Sequence, residues 1–211
     1  AIGTTAVTAT ATDDSGNTST CTFNVTVADT TSPAITCADD PASVEATSSA
    51  GAVVSWTDST QATATDDGDS SVAITYSLAS GSTFAIGTTT VTATATDDSG
   101  NTSTCTFGVT VVDTTNPTTI TCPAAPASVE ATSSAGAAVS YDVATATDIG
   151  DSSLAVTYSA ASGSTFAIGT TTVTATATDD SGNTSTCAFN VTVADTTSPA
   201  ITCATAPASV E

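Results

Sequence analysis

Three groups of residues in this 211-residue chain have types and spacings suited to chemistry: repeated aspartates, six cysteines and a series of Asn-x-Ser/Thr sequons. The turn sequence DDSGN occurs three times and contributes Asp13 and Asp14, Asp97 and Asp98, and Asp179 and Asp180. Asp29, Asp113 and Asp195 open the short segments DTTSP, DTTNP and DTTSP. Hard carboxylate oxygens gathered at a stiff junction are what calcium takes. With no Lys, Arg or His anywhere in the chain, a bound cation would also relieve the repulsion between these groups. The nine aspartates are therefore candidate calcium ligands. Asp-Ser-Gly-Asn is equally a good turn former in its own right, and the spacing is not that of an EF-hand loop.

The cysteines, Cys21, Cys37, Cys105, Cys122, Cys187 and Cys203, include no Cys-x-x-Cys pair and have no histidine to act with them. That usage points to disulfides in an oxidising compartment. A metal-thiolate site is disfavoured because soft ligands beyond the thiols are missing. Sequons fall at Asn17, Asn24, Asn101, Asn183 and Asn190, whereas Asn116 is excluded by Pro117. Asn24 and Asn190 lie out of phase with Phe23 and Val25, and with Phe189 and Val191, so alternation turns them to solvent on an edge strand. The five sequons are candidate N-glycosylation sites, and the outward threonine rows are candidates for O-linked sugar.

Composition narrows the function classes. The formal charge is −21 with no cationic side chain, so the chain offers nothing to phosphate backbones and repels nucleic acids and anionic lipid alike. Histidine bases, Schiff-base lysines and arginine clamps are all missing, which closes the commonest routes to acid/base and phosphoryl-transfer catalysis. No apolar run reaches the length of a membrane span. Low bulk hydrophobicity with high charge would ordinarily suggest disorder. Here, however, threonine alternates strictly with Val and Ala, the two-residue period of a half-buried strand.

Repetition organises those strands. Nearly identical 27-residue segments begin at Ala1, Ala85 and Ala167, 84 and then 82 positions apart, and the stretch PASVEATSSAGA occurs at Pro41 and again at Pro126. The unit of about 83 residues matches a seven-stranded β-sandwich domain. Residues 1–29 form the C-terminal part of one repeat, 30–113 and 114–195 are complete repeats, and 196–211 open another. The chain reads as a window of a longer tandem array. Within a repeat, Val91, Ala93 and Ala95 point one way and their threonine neighbours the other, DDSGN turns the chain, and Cys105, Phe107, Val109 and Val111 return on the inner face. Further strands are expected at Val53–Trp56 and Val139–Tyr141, and along Val72, Ile74, Tyr76 and Leu78 with their counterparts Leu154, Val156 and Tyr158. Trp56 and Tyr141 read as core aromatics. The DDSGN turns then face the preceding linker, where Asp29 and Asp113 stand.

The series ITC, SVEAT, AGA, ATATD, ASGSTFAIGTTTVTATATDDSGN and TCTF resembles the hyalin repeat (HYR) family. It covers both whole units and both fragments. The resemblance implies tandem immunoglobulin-like β-sandwich repeats, extracellular, with an adhesive or matrix role. Where the family commonly carries further cysteines, this chain has Gly68, Tyr76 and Ala93, which leaves two cysteines per unit. In an immunoglobulin-like unit the first and last strands both begin at the N-terminal pole, so Cys37 can meet Cys105 and Cys122 can meet Cys187. Cys21 and Cys203 would then pair with parts of repeats outside this segment.

The function expected from these features is a non-catalytic structural protein. It would be an extracellular filament or cell-surface stalk, disulfide-stapled and glycosylated, with calcium as the one cofactor and neighbouring repeats as partners. The competing reading is an adhesin whose repeats bind a glycan or protein. The differing loops after Trp56 and Tyr141 are the only places for such a site, and they are poor in aromatic anchors. An accessory module of a secreted hydrolase is disfavoured, because paired aspartates in a hairpin turn lack the cleft that raises a carboxyl pKa.

Overall fold

Alternating Thr and Val/Ala builds long, flat-faced strands, and these make up almost the whole structure. The computed structural model describes residues 2–205, which fall into two units, the first ending at Asp113 and the second beginning at Thr114. The first unit runs β1 (Gly3–Thr12), β2 (Thr18–Val27), β3 (Ala34–Cys37), β4 (Val44–Glu45), β5 (Ala52–Val54), a single helical turn α1 (Asp58–Gln61), β6 (Ala62–Thr65), β7 (Ala73–Tyr76), β8 (Ser82–Phe84), β9 (Gly87–Thr96) and β10 (Thr102–Val112). Strands β1 and β2 form a hairpin of their own. The remaining strands form one sheet in the order β4-β10-β9-β7 and two short ladders, β3-β6 and β5-β8. Strand β4 runs parallel to β10, and the other neighbours are antiparallel.

The core lies where the alternation puts it. Val91, Ala93 and Ala95 of β9 are completely buried, and Phe107, Val109 and Val111 of β10 nearly so. Ala52, Val54 and Phe84 close the cluster from the opposite layer. Trp56 meets Tyr76, Phe84 and Phe107 with ring centroids 5.3 to 6.0 Å apart, distances at which tilted aromatic pairs attract. Cys37 of β3 is bonded to Cys105 of β10, tying the short ladder to the main sheet.

The second unit repeats this plan with β11 (Thr119–Thr121), β12 (Val129–Glu130), β13 (Ala137–Ala138), β14 (Thr145–Thr147), β15 (Ala155–Tyr158), β16 (Thr165–Phe166), β17 (Gly169–Thr178) and β18 (Thr184–Ala194). Its main sheet is ordered β12-β18-β17-β15, with ladders β11-β14 and β13-β16. Val173, Val191, Val193 and Phe166 fill the core with Tyr141 and Tyr158 against them, and Cys122 is bonded to Cys187. The long hairpin keeps one register throughout, Gly3 opposite Val27, Gly87 opposite Val111 and Gly169 opposite Val193.

The shorter strands depart from the alternation: that expected along Val72 to Leu78 covers only Ala73–Tyr76, and its counterpart Ala155–Tyr158. The Val53 strand stops at Val54, and none of the expected Val139–Tyr141 is strand, the corresponding ladder being Ala137–Ala138 just before it. Beyond these strands a serine hydroxyl takes over from the backbone ladder. Ser80 Oγ accepts from the Trp56 N–H and donates to the Trp56 carbonyl, and Ser162 does the same for Tyr141. The invariant ATSSAGA is also structural. Gly51 has φ +103°, and a Cβ there would lie 1.8 Å from the Phe84 carbonyl oxygen, so only glycine lets the two segments approach.

Candidate metal centre

Three strands or strand ends deliver carboxylates to one point of the first unit. Asp29 follows β2, Asp66 follows β6 and Asp97 follows β9. Each offers an oxygen within 4.8 Å of the other two. Asp97 is buried, while Asp29 and Asp66 are half-buried.

Local geometry fixes each side chain before any ion is considered. Asp97 Oδ1 accepts from the N–H groups of Ser99 and Asn101 at 3.0 and 2.8 Å. Its Oδ2 accepts from Asn101 Nδ2 at 2.8 Å, and that amide also donates to the Asp29 carbonyl at 3.3 Å. Burial penalises the Asp97 charge, but the bonds from Asn101, Ser99 and Gly100 outweigh it and hold the carboxyl below its ordinary range. Asp29 Oδ1 accepts from the Thr31 N–H. Asp66 Oδ1 accepts from the Gly68 N–H at 2.8 Å, while its Oδ2 is buried and has no hydrogen-bond partner. Gly68 makes room for the group, since a Cβ on it would stand 2.3 Å from Asp29 Oδ2.

These residues pass the test of fit for a hard cation. Three carboxylates converge, one oxygen is orphaned and buried, and no cationic side chain exists to neutralise them. Such an all-oxygen donor set suits calcium, which takes six to eight oxygen ligands in flexible geometry. In the second unit Asp148 and Asp179 repeat the roles of Asp66 and Asp97. Asp148 Oδ2 accepts from the Gly150 N–H while its Oδ1 is buried without a partner. Asp179 accepts from the backbone and side-chain N–H groups of Asn183. Asp113, the counterpart of Asp29 in the sequence repeat, is buried at the end of the first unit.

Of the nine aspartates expected from the sequence, the structure thus draws Asp29 and Asp97 together. Asp98 and Asp180 are exposed beside the turns, and their N–H groups donate to Asp69 and Asp151. Asp13 keeps the same turn bonds, from Ser15 and Asn17, on the exposed hairpin β1-β2 with Asp14 next to it. Asp195 accepts from the Thr197 N–H. Asp66 and Asp148 were missed. Their signal is the run ATATD, which ends β6 and β14 just as it ends β9 and β17, so each aspartate sits just past a strand end.

Two further features anchor the linker segments. Ser103 Oγ donates to the Pro33 carbonyl, and Ser185 Oγ to that of Pro117 at 2.6 Å. Glu130 grips the segment after β18 with both oxygens, accepting from the N–H and hydroxyl groups of Thr196 and Thr197 at 2.6 to 3.1 Å. Those donors hold its carboxyl below the ordinary glutamate range. The glutamate ending SVE was not singled out from the sequence, although its recurrence at Glu45 and Glu130 marks it. Cys21 and Cys203 are unbonded and exposed.

The HYR domain model matches residues 1–27, 28–111 and 112–193. The chain belongs to the HYR-domain family. Over 210 residues the HYR chain is 38% identical to hyalin of Strongylocentrotus purpuratus, a match that takes in 95% of this chain and 17% of that protein. The chain thus spans about a sixth of the length of this curated relative. Among solved structures, the extracellular cadherin domains 1–5 of protocadherin gamma B2 superpose with a TM-score of 0.40 at 14% identity, over 93% of this chain and 47% of that one. Domains 1–4 of protocadherin gamma B7 give 0.38 at 17% identity, over 90% and 57%.

Proposed function

We propose that this HYR segment is part of a non-catalytic extracellular repeat protein, a filament or cell-surface stalk, whose linkers are stiffened by calcium and whose surface carries glycans. The observation that carries this reading is the convergence of Asp29, Asp66 and Asp97 around an orphaned carboxylate oxygen, beside a linker already held by Asn101 and Ser103. An ion there adds strong ligation to a segment that proline has already made rigid. Near-verbatim repetition favours uniform mechanical units. The loop that differs most between repeats is tied down at two points, with Gln61 Nε2 donating to the Asp39 carbonyl and the Tyr76 hydroxyl to that of Asp58. Disulfides in both units agree with an oxidising, extracellular setting. Neighbouring repeats, in the same chain or another, are the expected partners.

Electron cryo-microscopy of native material with and without a calcium chelator tests the proposal. Continuous rods with an axial period of one or a few sandwich domains, softening on chelation, are expected. Isolated flexible chains indifferent to chelation would refute both the filament and the calcium.

A further inference from the structure

We infer that the sequons are not equivalent: Asn190 is an N-glycan acceptor, whereas Asn101, in the sequon Asn-Thr-Ser, is not. This deepens the glycan element of the proposed function and rests on it. The two asparagines spend their atoms differently. Asn101 Nδ2 donates to both Asp97 Oδ2 and the Asp29 carbonyl, and the sequon hydroxyl of Ser103 is committed to the Pro33 carbonyl. A sugar on Nδ2 leaves one N–H for two acceptors, so a glycosylated Asn101 cannot complete the carboxylate group. Asn190 is exposed on β18 and uses only its Oδ1, which accepts from Thr172. Its amide nitrogen stays out of the fold's hydrogen bonding among the described residues.

A paired exchange between the two repeats supports the same assignment. The position of Asn190 is Gly108 in the first unit, three residues after the disulfide cysteine in each case. There the N–H of Gly108 donates to Asp40 Oδ1 at 2.7 Å, and a Cβ would lie 2.9 Å from Asp40 Oδ2. The counterpart of Asp40 in the second repeat is Ala125, which is exposed, and the strands that follow keep one register, Val44 against Val111 and Val129 against Val193. Thus one repeat places a carboxylate over this stretch of strand edge, and the other clears the space and presents a sequon. An exposed edge invites pairing with other chains unless charge or bulk blocks it. Asp40 blocks it in one repeat, and an N-linked oligosaccharide on Asn190 does so in the other.

The test is site-resolved mass spectrometry of native protein, cleaved at Asp and Phe because the chain has no tryptic sites, with electron-transfer fragmentation. Glycan on Asn190 with Asn101 unmodified is expected. Glycan on Asn101 would overturn the selectivity while leaving the glycoprotein reading intact, and bare asparagine at every sequon would remove both. A second measurement uses expression in a glycosylating host. Asp40→Ala with Gly108→Asn should gain one glycan at residue 108, and absence of that glycan in the folded double variant would also contradict the assignment.

Discussion

At residue scale the working parts are glycines and amides as much as carboxylates. Gly68 stands where a larger residue would displace Asp29, and its N–H fixes the Asp66 oxygen that is not orphaned. Gly68→Ala should therefore weaken calcium uptake at least tenfold, about 1.4 kcal/mol. It should change the chelated protein's melting temperature little, because the glycine lies in an exposed loop. Calorimetric titration and a melting curve in chelator separate the two effects. Asp97 and its Asn101 partner were legible in the sequence, since DDSGN announces both the turn and the acid. Asp66 was not, because its partners are far away in sequence and are brought close only by the strand order. Only the recurrence of ATATD, shared with the end of β9, separates it from Asp67 beside it.

At the scale of elements, the long hairpin was readable almost residue by residue, because burial of one face enforces a period of two. The short strands were harder to read. Where Ser80 and Ser162 take over the ladder, backbone bonding passes to side chains and alternation no longer marks the strand's end. The disulfides staple β3 to β10 and β11's neighbour Cys122 to β18. Closing a loop with a separation of 68 residues contributes on the order of 4 kcal/mol in the chain-entropy model. Cys37→Ala with Cys105→Ala should thus lower unfolding stability by about that amount in a denaturant titration. An unchanged midpoint would show that the small core holds without the staple.

The Glu130 clamp belongs to the same scale and gives a pH signature. Its folded carboxyl, like that of Asp97, lies below the ordinary values of 4.5 and 3.8. In that window the unfolded chain binds more protons than the folded one, so stability rises with pH. The contribution is complete above the ordinary values and is lost as pH falls through the depressed folded ones. Glu130→Gln should flatten this part of the melting temperature profile measured in chelator. An identical slope in the variant would show that the clamp contributes nothing.

For the whole molecule, 21 acidic groups stand without a single cationic side chain to balance them, and in the proposed function calcium supplies the counter-charge where carboxylates converge. The most direct measurement is isothermal titration of calcium into the full chain, paired with Asp66→Asn and a magnesium control. Saturable calcium uptake, weaker magnesium binding, a melting temperature that rises with calcium, and loss of the first unit's share of the response in Asp66→Asn are expected. No saturable heat and a melting curve unmoved by millimolar calcium would contradict it.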